Sequence, residues 1–335
     1  MSTNIRETVF SSRHQQLGGR MVDFGGWKLP VQFDGVLAEH LHCRSAAVVF
    51  DTSHMGQFLI SGREAASQLS LLCTQDAETL RVGQCRYGFL LREDAGIIDD
   101  TILMRTADDE FLLVVNAATQ DRDQHWVEEH LRGNSSFVNR SALGWAKIDL
   151  QGPESFDVLR GLVDIDLRTL PYFSVAPARI CEVSCVLSRT GYTGELGYEI
   201  MAEGNDLLTV FDRILEHPRV KPAGLGARDS LRLEMGYPLY GHELSEERNP
   251  VEAAMLFFLK SQKPHVGFEA LNQARWNGTA QTLVAFRTDT RRRPSPSCEI
   301  CSDGEVVGVV TSGAFCPSLD VSAGMGFVRS DLARQ

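Results

Sequence analysis

Cys85-Arg86-Tyr87-Gly88-Phe89-Leu90-Leu91, Arg92-Glu93-Asp94-Ala95-Gly96 and Ile97-Ile98-Asp99-Asp100-Thr101-Ile102-Leu103-Met104-Arg105 follow one another without a break. The outer runs predict strands and the middle one has turn chemistry, so the segment reads as a β-hairpin. A third strand is predicted over 110–115, then a charged amphipathic helix over 117–131. Upstream, a helix over 36–47 precedes a strand over 56–61. There Ser61-Gly62-Arg63-Glu64 is a capping-box pattern opening a helix to about residue 73. Downstream the mixture repeats, with strands over 146–150 and 180–188 and helices over 155–162, 206–215 and 227–235. This irregular alternation predicts an α+β fold rather than a doubly wound parallel sheet. After about residue 276 the texture changes to short strands over 282–286, 306–311 and 324–328, with the loop Arg291-Arg292-Arg293-Pro294-Ser295-Pro296 between them. That stretch reads as a separate, small all-β domain.

Composition narrows the function. The chain has 335 residues, 43% hydrophobic and 23% charged, enough for a large core and for two or three domains. A net charge of -11 disfavours phosphate backbones and acidic membranes. No apolar run has the length of a membrane span, and residues 1–20 lack the apolar core of a secretory signal, so a cytoplasmic protein is expected. Of the eight cysteines, only Cys298-Glu299-Ile300-Cys301 has metal-ligand spacing. It has no second pair and no nearby histidines, so reduced, mostly buried thiols are expected and no metal.

Generic catalytic signatures are missing. Gly224-Leu225-Gly226-Ala227-Arg228 lacks the third glycine of a dinucleotide fingerprint, and no phosphate loop or nucleophile elbow is present. His40 and His42 are wrongly spaced for one helix face, and His242-Glu243 lacks a zincin's second histidine. What remains are polar residues in unusual company. Asp99 and Asp100 interrupt an apolar strand; one carboxylate can face a cavity while the other faces solvent or caps the turn, or both decorate a hairpin surface. Gly191-Tyr192-Thr193-Gly194-Glu195-Leu196-Gly197-Tyr198-Glu199 holds two tyrosines and carboxylates on a glycine-rich frame, or is a plain hairpin loop. Arg228 and Arg232 share one helix face, as an ion-pair ladder would.

Taken together and in order, several segments resemble the glycine cleavage system T-protein family, the tetrahydrofolate-dependent aminomethyltransferases. They are Gly19-Arg20-Met21-Val22-Asp23-Phe24-Gly25-Gly26-Trp27, Phe50-Asp51-Thr52-Ser53-His54-Met55-Gly56, Gly96-Ile97-Ile98-Asp99-Asp100, Val114-Val115-Asn116-Ala117, Gly191-Tyr192-Thr193-Gly194-Glu195, the run from Gly224 to Glu234, and Thr311-Ser312-Gly313. The resemblance implies a three-domain cloverleaf with a central folate channel. The expected parts are 1–50 with 141–227, 51–140 with 228–275, and a β-barrel-like 276–335. It implies that Asp100 is the catalytic carboxylate, and that Glu199, closing the glycine-rich block, binds folate. Arg228 is implied either to bond a ligand carbonyl or to hold Glu199 in place. Tyr87, Val115, Asn116, Tyr192 and Tyr237 fall at positions resembling the channel lining.

The family reaction takes an aminomethyl group from the lipoyl arm of a partner, the H protein, and passes its carbon to tetrahydrofolate with release of ammonia. Asp100 would orient the folate nitrogens and stabilise positive charge as the carbon–sulfur bond weakens. The chain departs from the family in ending at Gln335, soon after Gly326-Phe327-Val328, which implies a shortened β domain. It departs also at Leu196, where an acidic residue is usual, and at Thr52, where valine is common. Folate-dependent demethylases of small methylated substrates share the fold and folate site, and an inactive folate-binding paralogue is the other alternative. The iron–sulfur assembly branch carries a cysteine in the block where this chain has Gly191-Tyr192-Thr193-Gly194-Glu195, which argues against that branch.

Overall fold

In chain order the described residues, 5–333 of the computed structural model, begin with β1 (Arg6–Glu7), α1 (Ser11–Gln16), β2 (Arg20–Phe24) and β3 (Trp27–Gln32). Next come α2 (Val36–Ser45), β4 (Ala47–Asp51), β5 (Gly56–Ser61) and α3 (Ala65–Leu72). The hairpin read from the sequence is present as β6 (Cys85–Leu91) and β7 (Ile97–Ala107), followed by β8 (Glu110–Val115), α4 (Gln120–His130) and β9 (Ser136–Asn139). The middle contributes β10 (Trp145–Gln151), α5 (Ser155–Leu159), β11 (Val175–Ile180), β12 (Val183–Ser188) and β13 (Gly197–Glu203). It closes with α6 (Gly204–Leu215), β14 (Val220–Pro222) and α7 (Leu225–Glu234). The last elements are α8 (Phe268–Asn277), β15 (Gln281–Arg287), β16 (Glu299–Ser302), β17 (Glu305–Cys316) and β18 (Val321–Arg329).

Pairing gathers these strands into a small sheet, β1-β3-β2, and three larger ones. The larger sheets run β11-β12-β13-β10-β4-β14, β6-β7-β8-β5-β9 and β15-β18-β17-β16. The fold is α+β. Each of the first two larger sheets has one face under helices. In α6, Leu207, Val210, Phe211 and Ile214 recur at helical spacing and pack on Ile148, Leu150 and Ile200 of the six-stranded sheet. In the five-stranded sheet, Phe58, Ile60, Leu103, Phe111 and Leu113 meet Leu69 of α3 and Val127 of α4. Each such buried side chain stabilises the fold by about 1.5–3 kcal/mol. The other faces of these two sheets approach each other through Cys85, Met104, Leu112 and Val114 on one side and Val175 and Met201 on the other.

Three local expectations change. The strand predicted over 180–188 is half of a hairpin, β11-β12, whose turn places Cys181 and Glu182 at φ 51° and 67°. Neither residue type announces a left-handed turn, so the sequence pattern hid it. The capping box at Ser61-Gly62-Arg63-Glu64 does not form. Ser61 Oγ bonds Ser136 Oγ at 2.8 Å, and the Glu64 carboxylate accepts the backbone N–H of Asn134 at 3.0 Å. Finally, α4 starts at Gln120 rather than near Ala117, because the chain just before it is pinned by Asn116 to β7.

Candidate active site

The two acidic residues of β7 separate as strand geometry requires, but not as expected. Asp99 faces neither solvent nor the turn: it is wholly buried beside Asp123 of α4, also wholly buried. The sheet is covered on that face by α4, whose buried stripe of Gln120, Asp123 and Val127 carries a carboxylate inward. Asp100 points to the opposite face and is half-buried. Its Oδ2 accepts the Tyr87 hydroxyl at 3.0 Å, and its Oδ1 accepts Asn116 Nδ2 at 2.8 Å. Asn116 ties the two aspartates together, since its backbone N–H and side-chain amide also donate to Asp99 at 2.8 and 2.9 Å.

Burial dominates the electrostatics. Burial, then the Asp99 carboxyl beside it, pushes Asp100 up to about 7, against the hydrogen bonds from Tyr87 and Asn116. Burial, followed by the charge of Asp123, drives Asp99 well above the usual carboxylate range. Asp123 is itself raised to about 7, chiefly by burial. Three carboxyl groups in so little water hold protons among themselves near neutrality. Burial and the Asp100 carboxylate also push the Tyr87 hydroxyl well up, so it remains a donor to Asp100. The Tyr87 ring is fixed edge-on by Phe258, 4.7 Å between centroids.

The six-stranded sheet offers the facing wall. In β10, Lys147, Asp149 and Gln151 alternate with Ile148 and Leu150, so the apolar side chains enter the core and the polar ones face the five-stranded sheet. Glu199 of β13 lies directly opposite Asp149 in the register. Lys147 Nζ is 2.5 Å from Asp149 Oδ1 and 3.4 Å from Glu199 Oε1, and Arg228 Nη1 donates to Asp149 Oδ2 at 2.8 Å. The cation beside Glu199 is therefore Lys147, while Arg228 is held by Asp149. Glu199 Oε2 is buried and has no hydrogen-bond partner among the described residues.

Aromatic rings close the gap between the walls. The Arg228 guanidinium lies over the Tyr192 ring at 5.1 Å, and Tyr192 stacks on Tyr237 at 5.8 Å and 26°. The Tyr192 hydroxyl donates to the Pro238 carbonyl. Burial pushes the Tyr192 hydroxyl up, and the charges of Arg232, Asp100 and Arg228 all act on it. A cavity of about 310 Å³ opens beside Tyr237, lined also by Tyr172, Arg189, Thr190 and Glu195. Glu195 is already paired with Arg44 at 2.9 Å.

Asp100, Tyr87, Asn116, Tyr192, Arg228, Tyr237 and Glu199 thus lie on the facing walls of one region. Val115 differs: its side chain is fully buried in the core with Phe58 and Val127 and packs so tightly on Gly56 that a Cβ there would meet it at 2.5 Å. Only its backbone adjoins Asn116. Sequence reading missed Lys147, Asp149 and Asp123. The alternation Lys147-Ile148-Asp149-Leu150-Gln151 carried the first two, since three polar residues on one face of a strand buried from Ala146 to Gln151 are unusual. Arg228 and Arg232 do not form a simple ladder. Arg228 reaches across to β10, and buried Arg232 binds Asp229, Glu243, Ser312 and the Tyr237 carbonyl.

Residues 10–263 match the family model of the GCVT N-terminal domain, and residues 281–335 match the glycine cleavage T-protein C-terminal barrel domain. The chain belongs to the glycine cleavage T-protein family. Among T-protein relatives, the aminomethyltransferase of Thermoanaerobacter pseudethanolicus is 36% identical, over 99% of this chain and 91% of its own length. That of Listeria monocytogenes serotype 4b is 38% identical, over 97% and 90%. The crystal structure of glycine cleavage system aminomethyltransferase T from Bartonella henselae superposes with a TM-score of 0.92 at 31% identity, covering 98% of this chain and 91% of that one. Among the described residues, no helix of this T-protein family member is long and apolar enough to cross a membrane.

Proposed function

We propose that the chain moves the one-carbon unit of an aminomethyl group, carried on the lipoyl arm of an H protein, to tetrahydrofolate with release of ammonia. The class of enzyme, an aminomethyltransferase, follows from the family and from near full-length relatives of that name. The observation that carries the assignment of the site is Asp100. It is a half-buried carboxylate whose two oxygens are each oriented by one neutral donor, Tyr87 and Asn116, with acceptor capacity left on both.

The walls fit a folate. The Glu199 carboxylate, with Oε2 unpartnered, suits the ring N–H and exocyclic amine of a pterin edge, two parallel donors that the two oxygens of one carboxylate accept. The rings of Tyr87, Tyr192 and Tyr237 suit flat heterocycles. Bound tetrahydrofolate supplies the nitrogens that take the carbon. Asp100 contributes a fixed negative charge where positive charge grows on the aminomethyl carbon as its bond to sulfur weakens. A carboxyl group near 7 also exchanges protons readily at neutral pH, so Asp100 can hold a nitrogen-bound proton in one stage and give it up in another. Asn116 and Tyr87 keep it aimed throughout.

The test is an assay with aminomethyl-loaded, lipoylated H protein and tetrahydrofolate. Ammonia and methylenetetrahydrofolate in equal amounts are expected. One-carbon transfer from a methylated small substrate without ammonia release would assign the chain to the demethylases instead. No transfer from either donor would mark an inactive folate-binding paralogue.

A further inference from the structure

Four charged side chains alternate in sign behind the gap: Lys147 and Asp149 on β10, Glu199 on β13 and Arg228 on α7. Lys147 and Asp149 are 1% and 0% exposed, and Glu199 6%. Burying an ammonium costs several kcal/mol unless it is paired, so its two carboxylate partners need a reason to be there. Asp149 has one without Lys147, because Thr52 Oγ1 and Arg228 Nη1 both donate to it at 2.8 Å. Glu199 does not. Among the described residues, Lys147 is the one cation within 4 Å of it, on Oε1, and Oε2 remains open.

We infer that Lys147 is a positioning residue for ligand recognition, keeping the Glu199 carboxylate ionised and turned so that Oε2, with Oε1 beside it, accepts from the paired N–H donors of a pterin edge. The inference deepens the folate reading of Glu199 and rests on it. Burial raises Glu199, the Lys147 charge is the largest effect opposing this, Asp149 reinforces the rise, and the Thr190 hydroxyl opposes it more weakly. The other groups around the site are Arg228, which also favours the carboxylate, and Cys85, Tyr172 and the buried His54. Cys85 and Tyr172 are neutral near pH 7, since burial pushes both up, and burial holds His54 down at about 4, so it too is neutral. With Cys85, Tyr172 and His54 uncharged and Arg228 held by Asp149, deleting the Lys147 charge raises Glu199 further, and a protonated Glu199 cannot accept both pterin donors.

The experiment measures the Kd for tetrahydrofolate anaerobically from pH 5.5 to 9 in the unaltered protein, K147M and E199Q. Methionine fills the lysine's volume, and Asp149 keeps Thr52 and Arg228. In K147M the loss of affinity on acidification is expected to set in about one pH unit higher or more. Binding is then at least about 10-fold weaker near pH 6.5, and close to that of the unaltered protein at pH 9. A uniform loss at every pH, with the acidic limb unmoved, would make Lys147 merely structural and overturn the inference. If E199Q binds as the unaltered protein does, the folate reading of Glu199 itself fails, a separate result. Should K147M not fold, ¹³C NMR of the unaltered protein, with the Glu199 carboxyl assigned through E199Q, decides. Ionisation at pH 7 supports the role, and a neutral carboxyl at pH 7 refutes it.

Discussion

At the scale of single residues, the site is costly to build. A carboxyl raised to about 7 in the folded chain binds protons more tightly than in the unfolded one, where it titrates near its ordinary 3.8. The cost to stability therefore grows as pH rises from about 4 to about 7 and is complete above 7, on the order of a few kcal/mol. D100N removes it. Thermal melts should show D100N at least as stable as the unaltered protein at pH 8, with the difference shrinking on acidification and vanishing only below about pH 4. Glu199 makes the opposite kind of prediction, in binding. E199A should weaken tetrahydrofolate about 10-fold or more, by loss of charge-assisted hydrogen bonds, in a calorimetric titration; an unchanged Kd would remove Glu199 from the folate site. Of these residues, Asp100 and Glu199 were legible only through their order among other blocks. Nothing local distinguishes Asp99-Asp100 from surface carboxylates on a hairpin. The burial of Asp99 depends on α4, whose Asp123 looks from the sequence like one more charge on a polar helix face.

At the scale of elements, the strands were easier to read than the contacts they make. β6, β7 and β8 were legible because their alternation and turns are local, while the β11-β12 turn was hidden by Cys181 and Glu182 in left-handed conformations. Helix α7 shows what lies beyond local pattern. Its Glu234 is reached by His40 and Arg44 from α2 and by the backbone N–H of Ser318, all distant in sequence. Burial alone would raise Glu234, but these hydrogen bonds win and bring it to about 2. Its contribution is present above the ordinary 4.5 and is lost as pH falls through 4.5 towards 2. E234Q should therefore cost about 2 kcal/mol at pH 7, read by denaturant unfolding, and almost nothing near pH 2. An equal cost at both pH values would show that the loss is steric.

At the scale of the whole molecule, the site exists only where sheets from separate stretches of chain meet. We propose the interleaved partition of 1–50 with 141–227, 51–140 with 228–275, and 276–335. It is supported by a six-stranded sheet drawn from 47–51 and 145–222 and a five-stranded sheet drawn from 56–139. The C-terminal sheet braces α7 through Leu233 against Ala314 and Met325, and it gives Ser312 to Arg232 and Thr311 to Glu243. Removing residues 281–335 would leave a buried arginine and a buried glutamate short of partners. Such losses typically cost several kcal/mol. The shortened chain should melt lower and bind tetrahydrofolate more weakly, because Arg232 also holds the Tyr237 carbonyl at 3.0 Å. The central claim is that this assembly serves to place Asp100 against the departing aminomethyl group. Single-turnover formation of methylenetetrahydrofolate from aminomethyl-loaded H protein, compared between the unaltered protein and D100N at matched folate occupancy, tests it most directly. A fall of about 100-fold or more with the fold intact is predicted, and a near-normal rate in D100N would contradict it.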